Sequence, residues 1–239
     1  MRLAVFSDIH GNLQGLEAVL ADIQQRGADV VWCGGDLVGY GANPGEVVDR
    51  IRELSIPTIM GNYDDGIGYF RILCGCDYKS EADAERGARS IAWTKQHTTE
   101  AQKAYLRNLP YKLQREFEGH QVVLVHGSPV RLNEYLFETV ADGVFAAHLE
   151  NTRADVLLFG HTHKPYHKVL SGRHLVNTGS AGKPKHGNPN ATYALLDLTP
   201  TEVKVQIVEV SYDYEAAARA IEATDLPHEF AQMLREGRG

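Results

Sequence analysis

Short apolar runs alternate with helical stretches along the first third of the chain, and each run ends abruptly in polar residues. Leu3 to Phe6 form the apolar centre of a strand over Arg2 to Ser7. Leu13, Leu16, Val19, Leu20 and Ile23 then recur at helical spacing until Gly27 stops them. Asp29 to Cys33 reads as a second strand. Pro44 opens a helix that ends before Pro57, and Thr58 to Met60 reads as a third strand. Strand–helix alternation of this kind predicts parallel pairing with right-handed crossovers.

The pattern changes downstream. Ser80 to Leu109 is helical in spacing, anchored by Ile91, Trp93, Tyr105 and Leu106. Gln121 to Val125 and Asp155 to Phe159 are strands, with a helix over Thr139 to Glu150 between them. From Lys164 onward the strands shorten and alternate: Tyr166 to Leu170, Arg173 to Val176, Thr192 to Asp197 and Val203 to Val208, all expected to pair antiparallel. Helices over Asp213 to Thr224 and Glu229 to Arg235 follow. No repeat, low-complexity tract or linker interrupts the sequence. The expectation is a mixed α/β fold (α+β in its second half) with two sheets, as one domain over residues 1–239.

Composition narrows the class. With 239 residues, 43% of them hydrophobic, the chain has ample material for a core. No apolar run approaches the roughly 20 residues needed to span a bilayer, and Asp8 comes too soon for a signal peptide. Three cysteines, Cys33, Cys74 and Cys76, argue against a disulfide framework and for a reducing compartment, hence a cytoplasmic location. Cys74-Gly-Cys76 has the wrong spacing for a redox pair, so these thiols are expected to pack or to sit in a loop. A net charge of −7 without a Lys/Arg stripe gives no expectation of specific nucleic-acid binding. Trp32 and Trp93 fit a core or an interface in a homo-oligomer.

The chemistry sits where the apolar runs end. Asp8-Ile9-His10, Gly35-Asp36, Gly61-Asn62-Tyr63-Asp64, His126-Gly127 and Gly160-His161-Thr162-His163 each follow a strand. Taken alone, Asp-x-His reads as a helix cap as readily as a ligand pair, Gly-Asp as a turn, and Gly-Asn as a left-handed turn residue. Together they offer four imidazoles, two carboxylates and an amide oxygen, with no thiolate. Five clusters at the carboxyl ends of strands, where open sheets bind ligands, point instead to a site for two divalent cations. Asp8 and His10 lie two apart, as do His161 and His163, so an extended backbone would aim each pair one way. Two cations against Asp8 and Asp36 leave a positive pocket, its sign set by metals rather than by Lys and Arg.

This ordered set of motifs resembles the calcineurin-like metallophosphoesterases, in particular their small prokaryotic phosphodiesterase branch. The resemblance runs from Met1 to about Asp197 and takes in Asn177-Thr-Gly-Ser-Ala-Gly-Lys-Pro. It implies a two-sheet sandwich flanked by helices in four αββα layers. It also implies that Asp8, His10 and His163 hold one metal, that Asn62, His126 and His161 hold the other, and that Asp36 bridges them. The activity implied is hydrolysis of a small phosphorylated substrate, a phosphodiester first, by a metal-bridging hydroxide. Manganese, iron, zinc, nickel and cobalt all suit these ligands, with manganese the expected activator in vitro.

One position departs from the family pattern. Tyr63 stands where the family carries a His thought to assist the leaving group, which leaves the catalytic roles of Tyr63 and Asp64 open. A tyrosine near its ordinary pKa of about 10 is a poor proton shuttle at neutral pH, though its hydroxyl could still donate to a phosphoryl oxygen. Asn12 is the cap of the first helix or a phosphate contact. Lys183, with Lys185 and His186, rims the cleft or lies in a solvated loop, and Arg131 is equally open. Residues 65–78, with Tyr69 and Phe70, form a lid or simply pack. Two other functions fit the same chain: a non-catalytic or very slow nucleotide-binding regulator, favoured by Tyr63, and a protein-interaction scaffold, disfavoured by the intact ligand set.

Overall fold

A computed structural model describes residues 1–75 and 80–238. Its elements follow the chain as β1 (Arg2–Phe6), α1 (Leu13–Arg26), β2 (Val30–Cys33), α2 (Pro44–Glu53) and α3 (Asn62–Gly68). Next come α4 (Glu81–Gln96), α5 (Glu100–Arg107), β3 (Lys112–Phe117), β4 (His120–Val125), α6 (Asp142–Thr152) and β5 (Val156–Phe159). The last are β6 (Tyr166–Leu170), β7 (Arg173–Asn177), β8 (Ala191–Thr199), β9 (Glu202–Val210), α7 (Tyr214–Glu222) and α8 (Glu229–Glu236).

Two mixed sheets face each other, ordered β2-β1-β8-β9 and β3-β4-β5-β7-β6. The side-chain alternation of β1 shows how they stack. Leu3 and Val5 point into a core shared with Val122, Leu124, Val156 and Leu158 of the other sheet. Ala4 and Phe6 point the opposite way, against Leu16, Val19 and Ile23 of α1 and Val47, Val48 and Ile51 of α2. On the far side Val123, Leu157 and Phe159 pack on Phe145 and Leu149 of α6. Both faces of each sheet are therefore covered, which is why β1 and β5 read as unbroken apolar runs. Each fully buried Leu, Val or Phe contributes roughly 1.5–3 kcal/mol. Trp32 lies in the inter-sheet core, and Trp93 packs against α7 and α8.

The expected helix-flanked pair of sheets is present, with corrections in detail. Parallel and antiparallel pairing do not divide between the sheets: β1 pairs parallel with β2 but antiparallel with β8. Thr58 to Met60 is not a strand, since a single bridge joins Thr58 to Cys33. Pro57 has no N–H to extend that ladder, and Met60 N–H turns away to Pro110. Ser80 to Leu109 is two helices, broken where Thr99 caps α5: its hydroxyl accepts from Gln102 N–H at 3.2 Å, and Gln102 Oε1 accepts from the Thr99 N–H at 2.8 Å. β3 was unexpected. It is an edge strand carrying Lys112, Arg115 and Glu116, and it reaches β4 through Glu118-Gly119, both at positive φ.

Cys33 and Cys74 are buried, and burial pushes the Cys33 thiol well up. Cys76 and residues 76–78 of the candidate lid lie outside the described residues, and α3 occupies the start of that segment. No helix among the described residues is long and apolar enough to cross a membrane.

Candidate metal centre

The polar clusters converge at the carboxyl ends of β1, β2, β4 and β5, joined by the first turn of α3. The backbone that delivers them is not extended. Asp8 (φ 55°), His10 (φ 50°), Asp36 (φ 54°), His161 (φ 64°) and His163 (φ 58°) are all left-handed. Such a backbone costs a non-glycine residue of order 1 kcal/mol or more and persists only when its surroundings over-determine it. Here the β1 and β2 loops are laced together, with Asp8, His10 and Gly11 N–H donating to the carbonyls of Gly35, Asp36 and Leu37 at 2.8–2.9 Å.

Two groups of side chains result, Asp8 with His10 and His163, and Asp36 with His126 and His161. In each, one ligand atom per residue lies within 4.8 Å of the others. In the first, Asp8 Oδ2 accepts from the Ser7 hydroxyl and from His161 N–H, while Oδ1 has no hydrogen-bond partner and lies 3.3 Å from His163 Nε2. His10 Nδ1 donates to Val38 O at 3.0 Å and His163 Nδ1 to Lys183 O at 2.5 Å. Both rings therefore turn a lone pair inward, and their Nε2 atoms stand 3.2 Å apart. Two lone pairs at that distance repel unless a cation lies between them.

The second group is built the same way. His126 Nδ1 donates to Gly34 O at 2.8 Å, and His126 Nε2 lies 3.0 Å from Asn62 Oδ1. The Asn62 amide is oriented by Nδ2 donating to Cys74 O at 2.9 Å. His161 Nε2 is buried without a hydrogen-bond partner. Asp36 links the groups, its Oδ2 lying 3.5 Å from His10 Nε2 and 3.4 Å from His126 Nε2. Its Oδ1 accepts from Tyr63 N–H at 2.8 Å. Orphaned atoms and inward lone pairs on two sides of one carboxylate fit two cations.

Burial dominates the protonation of these groups. It favours neutral rings at His161 and His163, holding both down to about 3, and lowers His10 against the pull of Asp36 and Asp8. At His126 burial also opposes charge, but Asp36 and then Asp8 outweigh it and push the ring up to about 10. Burial would raise both carboxyls, yet the imidazoles prevail, His163 foremost at Asp8 and His126 at Asp36, and hold them below the usual range. His126 thus keeps a proton that a cation would displace.

Asp64 does not enter either group. Its carboxylate accepts from the N–H groups of Asp36 (2.7 Å), Leu37 (2.9 Å) and Gly61 (2.9 Å), tying the β2 loop to the start of α3. Burial first, then the charge on Asp36, raises it to about 7. The ring of Tyr63 is 1% exposed, edge-on to His10 at 5.3 Å. Asn12 caps α1 by accepting from Gly15 N–H, and its Nδ2 donates to Gly182 O and Tyr212 Oη at 2.9 Å. The helix-cap reading of Asn12 is thus present, and both of its amide hydrogens are engaged within the fold.

A cavity of about 360 Å³ opens onto both groups. Lys183, buried rather than solvated, lines it with Lys185, and Arg131 does not. Arg86 and Lys164 line it too, so its basic character is not left to metals alone, contrary to expectation. Sequence reading also missed its aromatic and apolar walls, Tyr40, Tyr135, Phe137, Phe230 and Met233, contributed by loops and by α8. No local signal marks these residues, because each is called to the cavity by packing distant in sequence.

A family model for the calcineurin-like phosphoesterase superfamily domain matches residues 1–201. The chain is 34% identical to an uncharacterized protein of Methanocaldococcus jannaschii, the match covering 99% of this chain and 98% of that one. It is 27% identical to the phosphodiesterase YfcE of Escherichia coli, over 82% of this chain and 88% of YfcE. Among solved structures, a metallophosphoesterase from Sphaerobacter thermophilus superposes with a TM-score of 0.79 at 28% identity, covering 99% of both chains.

Proposed function

Because the chain belongs to the calcineurin-like phosphoesterase superfamily, we propose that its two side-chain groups hold a pair of divalent cations and that the centre hydrolyses a phosphoester, a phosphodiester first. Asp8, His10 and His163 would hold one cation and Asn62, His126 and His161 the other, with Asp36 shared. The carrying observation is Asp36 Oδ2, which stands at nearly equal distance from an imidazole of each group. The name of the similar Escherichia coli protein favours a diester.

Bound there, two cations supply charge to the phosphoryl oxygens and lower the pKa of water. The chain's own residues do the rest. The carbonyls of Val38, Gly34 and Lys183 fix the tautomers of His10, His126 and His163, so that each presents Nε2. Asp64 positions Asp36 through the backbone and touches no reacting atom. Lys183 and Lys185 add positive charge to the cavity that receives the phosphate. Tyr63 has no strong acid to offer, so esters whose leaving group departs without a proton are the better substrates.

The test is hydrolysis of bis(p-nitrophenyl) phosphate after chelation and reloading with manganese, with His126→Ala alongside. Metal-dependent turnover lost in the variant supports the reading. Turnover indifferent to both, or absent from the loaded protein, overturns it.

A further inference from the structure

We infer that Tyr135 and Phe137 form a platform for a planar ring on the substrate, so that the phosphoester taken by this cavity carries an aryl group or a nucleobase. The inference rests on the phosphoester reading above and adds the chemistry of the organic half. The segment between β4 and α6 carries Tyr135, Leu136 and Phe137 in succession. Leu136 is 1% exposed, packed in the outer core with Phe145 and Phe159, and its carbonyl accepts the Tyr166 hydroxyl at 2.8 Å. That contact pins the middle of the segment against β6. Its two neighbours both line the cavity instead.

Their rings are nearly parallel, 11° between planes with centroids 5.7 Å apart. Tyr135 reaches inward until its centroid is 4.1 Å from that of His161. The aromatic surface thus starts at the second side-chain group and runs outward to Phe137, which is 39% exposed. An apolar ring left that open at the mouth of a charged cavity gains by covering its face, and a stacked ring covers it best. Lys164 Nζ, 5.9 Å from the Phe137 centroid, sits at the outer limit of a cation–π contact on a flexible stem. Lysines and Arg86 suit a phosphate, whereas the rings suit what is attached to it. An inorganic or alkyl phosphate would use the cations and leave the platform bare.

The experiment titrates manganese-loaded protein calorimetrically with methylphosphonate, phenylphosphonate and a non-hydrolysable phosphonate of adenosine. Phenylphosphonate is expected to bind about tenfold more tightly than methylphosphonate. Phe137→Ala should erase that margin with methylphosphonate affinity unchanged, and Phe137→Tyr should keep it. The same margin for the adenosine compound marks a nucleotide as the source, and a margin confined to phenylphosphonate marks an aryl ester. Equal affinity for all three ligands, or a preference that survives in Phe137→Ala, overturns the platform while the phosphoester reading stands. Failure of every phosphonate to bind overturns that reading, and the platform with it.

Discussion

His10 Nε2 and His163 Nε2 face each other at 3.2 Å while the opposite nitrogen of each ring donates to a backbone carbonyl. The contact is repulsive without a cation, so metal should stabilise the fold. Manganese at about 100 times its Kd is expected to add about 2.7 kcal/mol to the unfolding free energy of chelated protein. His163→Ala should remove most of that gain. A thermal melt unmoved by manganese in the unaltered chain would dismiss the cation pair.

Gly61 has no room for a side chain. A Cβ there would lie 2.1 Å from Asp36 Oδ1 and 2.3 Å from Asp36 N. Gly61→Ala should therefore displace the shared carboxylate and lower activity by about 100-fold, with a stability cost of about 1–3 kcal/mol. Elemental analysis should show fewer than two metals per chain, and full occupancy would contradict this account.

Asp64→Asn tests positioning against catalysis. The amide turns an NH2 toward backbone donors that now face a carboxylate, at a cost of about 1–3 kcal/mol. Metal affinity should fall while the pH profile of fully loaded enzyme keeps its shape. A lost limb in that profile would make Asp64 a proton carrier after all.

Tyr63→His restores the imidazole common in the family at this position. Turnover of diesters with alkyl leaving groups should rise by roughly 10–100-fold, and aryl esters should change far less. Equal effects on both would remove Tyr63 from any part in the leaving-group step.

Acid should unfold the metal-free protein through its histidines. His161 and His163 sit at about 3 in the fold, against about 6.5 when unfolded. Between those values the unfolded chain binds protons that the native chain refuses, so stability falls as pH drops below 6.5, by up to roughly 1.4 kcal/mol per unit for each ring. His126 works the other way: raised to about 10, its contribution is complete below 6.5 and lost as pH climbs through 10. Urea unfolding in chelator should peak near neutrality. A flat profile on the acid side, or one that His161→Asn does not flatten, would refute the assignment.

Six of the seven polar side chains were legible because each follows a strand whose apolar run is plain in the sequence, and Asn62 because it follows a short apolar run that pairs through a single bridge. Their backbone was not. Nothing in Asp8-Ile9-His10 distinguishes an extended path from the left-handed one found, since hydrogen bonds to Gly35, Asp36 and Leu37 decide it. α3 did leave a sign, two acids in its first turn, Asp64 and Asp65, behind Gly61. β3 was hidden by the charges that suit an exposed edge. Tyr135, Phe137 and Phe230 were beyond reach, because aromatic residues at core spacing look alike whether they face a core or a cavity.

Phe230 and Met233 border the cavity from α8, well past residue 201 where the family match stops. Phe230 stands edge-on to Tyr40 at 5.0 Å, and Tyr40 meets His10 at the same separation. Arg235 clips α8 to Glu215 and Glu222 of α7. A version trimmed at residue 201 would retain every side chain of the two candidate groups yet breach the vessel around them. What the family model delimits is thus smaller than the unit that encloses the cavity.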